Sequence, residues 1–299
     1  MNKISNISII LSFIGLWITS YFSGDFEIIF GFILIFSFGI LHGSNDILLI
    51  KSLSPSKNKH PFLKILITYL IIVLTAVVLF YYIPLIALVL FILFSAFHFG
   101  EQHWEHQKFE INKYLRMSFY FIYGSFILLL LFEFNKTEVA EIIASITSYQ
   151  LNEDIITYGF ISTSIVLGLL LLLFILKSKS FKNLIPLELF YLLIFGIIFK
   201  VSTLIWGFTI YFVFWHSLPS LYDQISFIYG DYNKKNMLLY CKNALPYWVI
   251  SLIGIGLVYF IFKDENIFYA VFFSFIAAVT FPHSIAINKM FKNKKTQPN

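Results

Sequence analysis

An all-α, polytopic bundle of about ten membrane-spanning helices is the fold class this chain predicts, and two observations predict it. Its 299 residues are 59% hydrophobic and only 12% charged, and the apolar residues fall in long runs rather than an amphipathic scatter. The basic residues cluster in every second connection, as the positive-inside rule requires of a multi-span protein. A transmembrane β-barrel needs alternating apolar and polar residues, a pattern this sequence lacks.

A run of about 18 or more apolar residues reaches across the hydrocarbon core, and shorter runs suffice where snorkelling side chains flank them. The first such run, residues 6–23, follows Lys3 but has no small-residue cleavage site of the signal-peptide kind, so it reads as a helix. The second, 27–46, opens beside Asp25 and Glu27, and the third, 63–82, follows a Lys-rich loop. Pro84 opens the fourth, 84–105, after which come 116–134, 156–176 and 184–199. Runs at 201–220, 245–262 and 266–288 complete the set.

With the N-terminus inside, the cytoplasmic segments hold Lys3; Lys51, Lys57, Lys59 and Lys64; and Lys108, Lys113 and Arg116. They also hold Lys177, Lys179 and Lys182; Lys234, Lys235 and Lys242; and Lys289, Lys292, Lys294 and Lys295. That is 18 of the 21 basic residues, leaving Lys136, Lys200 and Lys263 outside among Asp25, Glu27, Glu133, Glu138, Glu141, Glu153, Asp154, Asp264 and Glu265. Both termini are therefore expected in the cytoplasm of a cell whose inner (plasma) membrane holds the protein. Connections are short, which predicts one integral membrane domain over residues 1–290 and a disordered basic tail over 291–299. The net charge of +5 then reads as topology and contact with anionic lipid, not as a nucleic-acid footprint.

Cys241 is the chain's one cysteine, so no internal disulfide and no cysteine-based zinc or iron–sulfur cluster can form; it reads as a small apolar filler near a helix start. Aromatic residues make up 20% of the chain, which suits a slot for a conjugated ligand. The alternative reading of that abundance is a coding bias that inflates Phe, Ile, Lys and Asn together, in line with one Arg among 21 basic residues.

Four histidines carry the functional signal. His42, His98, His216 and His283 lie on four even-numbered spans, all of which run from outside to inside. They stand 15, 14, 16 and 18 residues after the outer markers Glu27, Pro84, Lys200 and Glu265. At the helical rise these are depths of roughly 21–27 Å, a spread of about one turn, in the inner third of a core about 30 Å thick. An imidazole in hydrocarbon is costly and marks function, and four at one level suit a transition metal such as iron, copper or zinc. His60 beside Pro61 and His106 in the charged segment after the fourth span read as solvated. His103 is five residues from His98 and so about 140° round an ideal helix. It can join the layer only if Gly100 breaks the helix, which makes it a reserve ligand.

Two carboxylates stand near the layer. Asp46 is four residues after His42 and Glu101 three after His98, so each is placed to accept the spare N–H of a metal-bound imidazole. Pro219 and Pro282 are expected to kink or end their helices beside His216 and His283. Phe94, Phe97, Phe99, Phe214, Trp215 and Phe281 flank the histidines and are candidate walls of a substrate slot. The clustered boxes of membrane di-iron hydroxylases are missing, and so is the internal repeat usual in transporters. A bis-histidine haem protein stays open, as does a protein that binds a conjugated ligand without acting on it.

The phrases LHGSNDILL, SAFHFGEQHW, FVFWHSLPS and FPHSIAI around these histidines resemble the Brp/Blh family of β-carotene 15,15′-dioxygenases, multi-span membrane enzymes that make retinal for rhodopsins. The resemblance covers most of the chain, and its HG-x-x-D and HFGE phrases are specific in combination. It implies cleavage of β-carotene at the central double bond to two retinals, with Fe(II) as cofactor, O2 as co-substrate and a functional link to a microbial rhodopsin. It also implies that His42, His98 and His216 are iron ligands. Many members carry a further histidine one turn after the position of His216, where this chain has Ser220, so the fourth ligand falls to His283 with His103 behind it.

Overall fold

The computed structural model describes residues 3–53, 61–107, 111–262 and 268–296. Of the residues singled out above, Lys57, Lys59, His60, Lys108, Lys263, Asp264, Glu265 and positions 297–299 lie outside the described residues. The elements are α1 (Lys3–Tyr21), α2 (Gly24–Leu34), the π-helical segment π1 (Ile35–Gly39), α3 (Ile40–Gly43), α4 (Asp46–Leu53), α5 (Pro61–Tyr82), α6 (Pro84–Trp104) and α7 (Lys113–Phe134). They continue as α8 (Lys136–Thr147), α9 (Glu153–Lys177), α10 (Lys179–Val201), α11 (Leu204–Thr209), π2 (Ile210–Ser217), α12 (Leu218–Tyr229), α13 (Lys234–Phe262) and α14 (Phe268–Thr296). The chain is an all-α, polytopic helix protein, with no strand among the described residues.

Among the described residues eight helical stretches are long and apolar enough to cross a membrane, and they fall on eight of the ten expected spans. The span expected at 63–82 lies within the helix α5, Pro61–Tyr82. The last expected span lies within α14, except that residues 266 and 267 are outside the described residues. Large apolar side chains such as Ile10, Leu74, Leu169 and Leu176 are exposed on these helices, as they are on a surface that faces lipid. Helix α8 falls in the connection between the apolar runs 116–134 and 156–176: its twelve residues bury Val139 but carry Lys136, Glu138 and Glu141, and a search for apolar runs passes over it.

Contacts group the chain into two compact units, each drawn from three stretches: Met1–Ile35, Ser95–Glu141 and Gln150–His216 in the first, and Phe36–Phe94, Ile142–Tyr149 and Ser217–Asn299 in the second. In the first unit α7 packs on α9, α10 and α11, while α2 packs on α1 and α11. Trp104, Phe119, Phe174 and Phe181 interlock there as a buried aromatic cluster. Buried Glu27 accepts a hydrogen bond from the Thr203 backbone N–H at 2.9 Å, so this carboxylate caps the start of α11.

Helices α6 and α7 cross backbone to backbone at a pair of glycines. A Cβ on Gly100 would overlap the Tyr120 carbonyl, and one on Gly124 would overlap the Ala96 carbonyl. The break at Gly100 that His103 would need in order to join the layer does not occur, for α6 runs through it to Trp104; the missing side chain serves the close approach instead. Gly100→Ala or Gly124→Ala is expected to cost about 3 kcal/mol, the upper end for overpacking, since backbone atoms cannot swing aside. Gly168→Ala in α9, where a Cβ meets open space, is the near-neutral control. Unfolding midpoints in detergent measure the difference.

In the second unit α14 packs on α5, α4, α3 and α13, and α12 packs on α13, α3 and α4. Leu49, Ala286, Ile287, Met290 and Phe291 form its buried core at this end. Phe291 is 2% exposed and α14 continues to Thr296, which corrects the disordered tail expected from residue 291 onward. The tail's lysines follow an apolar stripe at helical spacing, and that stripe holds the helix together past the last apolar run.

Candidate metal centre

Two spanning segments depart from the α-helical ladder, and each departure sits at a candidate ligand. His42 lies in α3 directly after π1, and the helix is interrupted again by the turn at Ser44–Asn45. His216 lies within π2. Pro219 supplies the local cause of the second departure. A helical proline clashes with the carbonyl four residues back and removes one N–H, here at Trp215, so the wide π turns end where α12 begins with Pro219 in its first turn. Pro282, expected to kink or end its helix, does not end it: it stands inside α14, which continues past His283.

Widened or broken turns leave carbonyls without their usual partners, and in a membrane each must be satisfied from within the protein. In the second unit the His42 carbonyl accepts from Gln224 Nε2 at 2.9 Å and from the Tyr240 hydroxyl at 3.1 Å. Asn45 Nδ2 donates to the Tyr240 carbonyl at 2.9 Å, and Trp248 Nε1 donates to the Phe36 carbonyl in π1 at 2.7 Å. In the first unit the His216 carbonyl accepts from Gln102 Nε2 at 3.1 Å, and Ser8 donates to the Phe214 carbonyl at 2.6 Å.

The imidazoles occur as two buried pairs. The His42 and His283 rings, 4% and 3% exposed, stand perpendicular with centroids 4.6 Å apart. His283 Nδ1 donates to Asp46 Oδ1 at 2.8 Å, and the Tyr69 hydroxyl donates to Asp46 Oδ2 at 3.2 Å. His42 Nδ1 hydrogen-bonds to the Gly39 carbonyl. Asp46 was expected to orient His42; it orients His283, because the turn at Ser44–Asn45 breaks the register that would have put residues 42 and 46 on one face. An Nδ1 facing an oxygen acceptor must carry the proton, so Nε2 is the nitrogen with the lone pair on both rings.

The second pair is His98 and His216, 1% and 3% exposed, with centroids 4.8 Å apart and rings at 79°. Phe99 meets the His216 ring edge-on at 4.7 Å, and Phe212 stacks on it at 5.6 Å. Glu101 is buried one turn after His98. His103, on an unbroken helix, joins a different cluster: its Nε2 is 3.1 Å from Glu188 Oε2, its ring stacks on Tyr123, and the Tyr123 hydroxyl donates to Glu188. His106 is exposed, and Cys241 is half-buried in α13.

The sequence matches the family described as beta-carotene 15,15'-dioxygenase over residues 33–291. The chain belongs to that family. No curated protein and no solved structure matches it.

In this member of the beta-carotene 15,15'-dioxygenase family the matched region runs from α2 into α14 and contains all four histidines, Asp46 and every aromatic candidate. The donor chemistry fits a divalent transition metal: buried imidazoles, two of them with Nδ1 engaged by an oxygen acceptor, as in metal-bound histidines held by an orienting partner. Among the expected slot residues, Phe99 lies on His216, and Phe94 meets Phe281 edge-on at 5.2 Å. Phe97 and Phe214 are half-buried. Trp215 is committed to packing in the first unit, where its Nε1 donates to Ser12 at 2.8 Å and its ring lies against Phe195 and Tyr191. Sequence reasoning missed Gln224, Tyr240 and Tyr69, which lie outside the motifs around the histidines, and Gln102 and Phe212, which stand inside SAFHFGEQHW and FVFWHSLPS but carry no charge or ligand atom that singles them out.

Proposed function

We propose that this chain cleaves β-carotene at its central 15,15′ double bond to give two molecules of all-trans-retinal, with one Fe(II) held by His42, His98, His216 and His283 and with O2 as co-substrate. The observation that carries this reading is the family match over residues 33–291, which takes in all four histidines. Their burial in pairs and the Nδ1 hydrogen bonds of His42 and His283 support the ligand set. The balance needs no external reductant: one C=C bond breaks, two C=O bonds form, and both oxygen atoms of O2 are taken up.

Bound ferrous iron would supply the redox chemistry that lets O2 react with an apolar polyene. The protein's own part is positional. Gly39 and Asp46 fix two imidazoles in tautomer and orientation, and Phe99 and Phe212 fix a third ring face. Phe94 and Phe281 offer an apolar wall against which a conjugated rod packs while water is kept out. A carotene dissolved in the bilayer reaches such a site laterally, without crossing water. The fourth ligand is His283, because Ser220 offers only a hydroxyl, which accepts from Gln224 Nε2 at 3.1 Å. The retinal serves as chromophore for a microbial rhodopsin, and the protein sits in the inner (plasma) membrane with both termini cytoplasmic.

The test is purified protein loaded with ferrous iron and given β-carotene in detergent under air. Retinal as the one aldehyde, lost on chelation and regained with ferrous iron, is the expected result. A Soret band and no product would indicate a haem protein, and unchanged β-carotene from iron-loaded protein would reject the cleavage function.

A further inference from the structure

Each unit repeats one device: a glutamine amide donates to the backbone carbonyl of the histidine at the irregular turn. Gln224 does so to His42 and Gln102 to His216. Both glutamines are buried, at 0% and 4% exposure. At His42 the Tyr240 hydroxyl, itself fully buried, shares its one proton between the His42 carbonyl and Gln224 Oε1, 2.8 Å away, which locks the amide's orientation. Asn45, just past His42, ties back to the Tyr240 carbonyl, so Tyr240 of α13 grips the interrupted helix both at the histidine's carbonyl and three residues beyond it.

We propose that Gln224 with Tyr240, and Gln102, are positioning residues that set the depth and aim of the His42 and His216 imidazoles by holding their backbone carbonyls. The physical argument is that an imidazole's Nε2 is placed by its Cα as much as by its Nδ1 partner. In an α-helix the ladder fixes the Cα, whereas at π1–α3 and π2 the ladder is interrupted and the glutamine bond takes over that duty. A glutamine suits the task because its amide donates without bringing a charge into hydrocarbon.

This inference rests on the proposed iron site, and one experiment separates the two. Full-length apoprotein variants are titrated with Co(II), following ligand-field absorption and affinity, and then assayed for the KM and kcat of carotene cleavage with iron. Gln224→Met and Gln102→Met keep the side-chain shape without the donor, and Tyr240→Phe keeps the ring without the hydroxyl. Each is expected to weaken Co(II) binding about 10–100-fold, the range for outer partners of metal ligands, with an altered Co(II) spectrum, a lowered kcat and an unchanged KM. Trp248→Phe removes a hydrogen bond to the same irregular stretch at Phe36, six residues from His42, and should lower the melting temperature while leaving Co(II) binding intact. If His42→Ala loses Co(II) but all three positioning variants bind it with the wild-type affinity and spectrum, the inference is overturned while the iron site stands. Equal loss in Trp248→Phe also overturns it, since general loosening would then explain the effect. If His42→Ala binds Co(II) like the wild type, the iron site itself falls and the inference with it.

Discussion

Alanine at His42, His98, His216 or His283 is expected to abolish retinal formation and to strip the purified protein of most of its iron. A four-imidazole site that loses one donor loses charge-stabilising coordination and leaves a polar hole in a buried environment, since each ring is no more than 4% exposed. Iron content by elemental analysis and product by chromatography measure the two effects separately. His103→Ala is expected to keep its iron, because His103 is engaged with Glu188 and Tyr123. His106→Ala, at an exposed position, should be neutral. Retention of full iron content in His283→Ala, with its loss in His103→Ala, would move the fourth ligand to His103.

The second large effect is at Asp46. Its Oδ1 receives the His283 Nδ1–H and its Oδ2 the Tyr69 hydroxyl, so it is buried, doubly engaged and 1% exposed. Asp46→Ala should lower iron affinity or turnover about 10–100-fold, as loss of an orienting partner does. Asp46→Asn should be milder, since an amide oxygen still accepts from Nδ1 but makes the ring a weaker base. Tyr69→Phe, which removes a hydrogen bond to the carboxylate alone, should be milder still. Wild-type turnover and iron content in Asp46→Ala would reduce the contact with His283 to a structural one.

The spans were legible because hydropathy over a long run is a local property. That is why eight of the expected segments coincide with helices long and apolar enough to cross a membrane. The histidines were legible for a related reason: an imidazole in an apolar run stands out without any knowledge of its neighbours. What sequence could not show is which groups meet across the chain. His283 and Asp46 are 237 residues apart, and the helix-face argument assigned Asp46 to His42 because it assumed an unbroken helix at Ser44 and Asn45. Gly100 was read through its local freedom, whereas its role is set by Tyr120 on another helix. Gln224 and Tyr240 are unremarkable in composition and acquire meaning only when the His42 carbonyl is placed against them. Helix α8 escaped because amphipathic helices are invisible to a criterion built for hydrocarbon.

The wide turns π1 and π2 also change what kind of mutation this protein is sensitive to. Such a turn accommodates one residue more than the α-helical ladder, so its geometry is stored in residue count rather than in residue identity. Removing one residue from Ile35–Gly39 or Ile210–Ser217 would let the ladder close and erase the wide turn, drawing back into the helix the carbonyls that Trp248, Ser8 and Gln102 now meet. That change moves the backbone that carries His216, and the stretch just before His42, while every side chain that matters is still present. Point substitutions there leave the count untouched, so in these two short stretches the chain's length is itself under constraint.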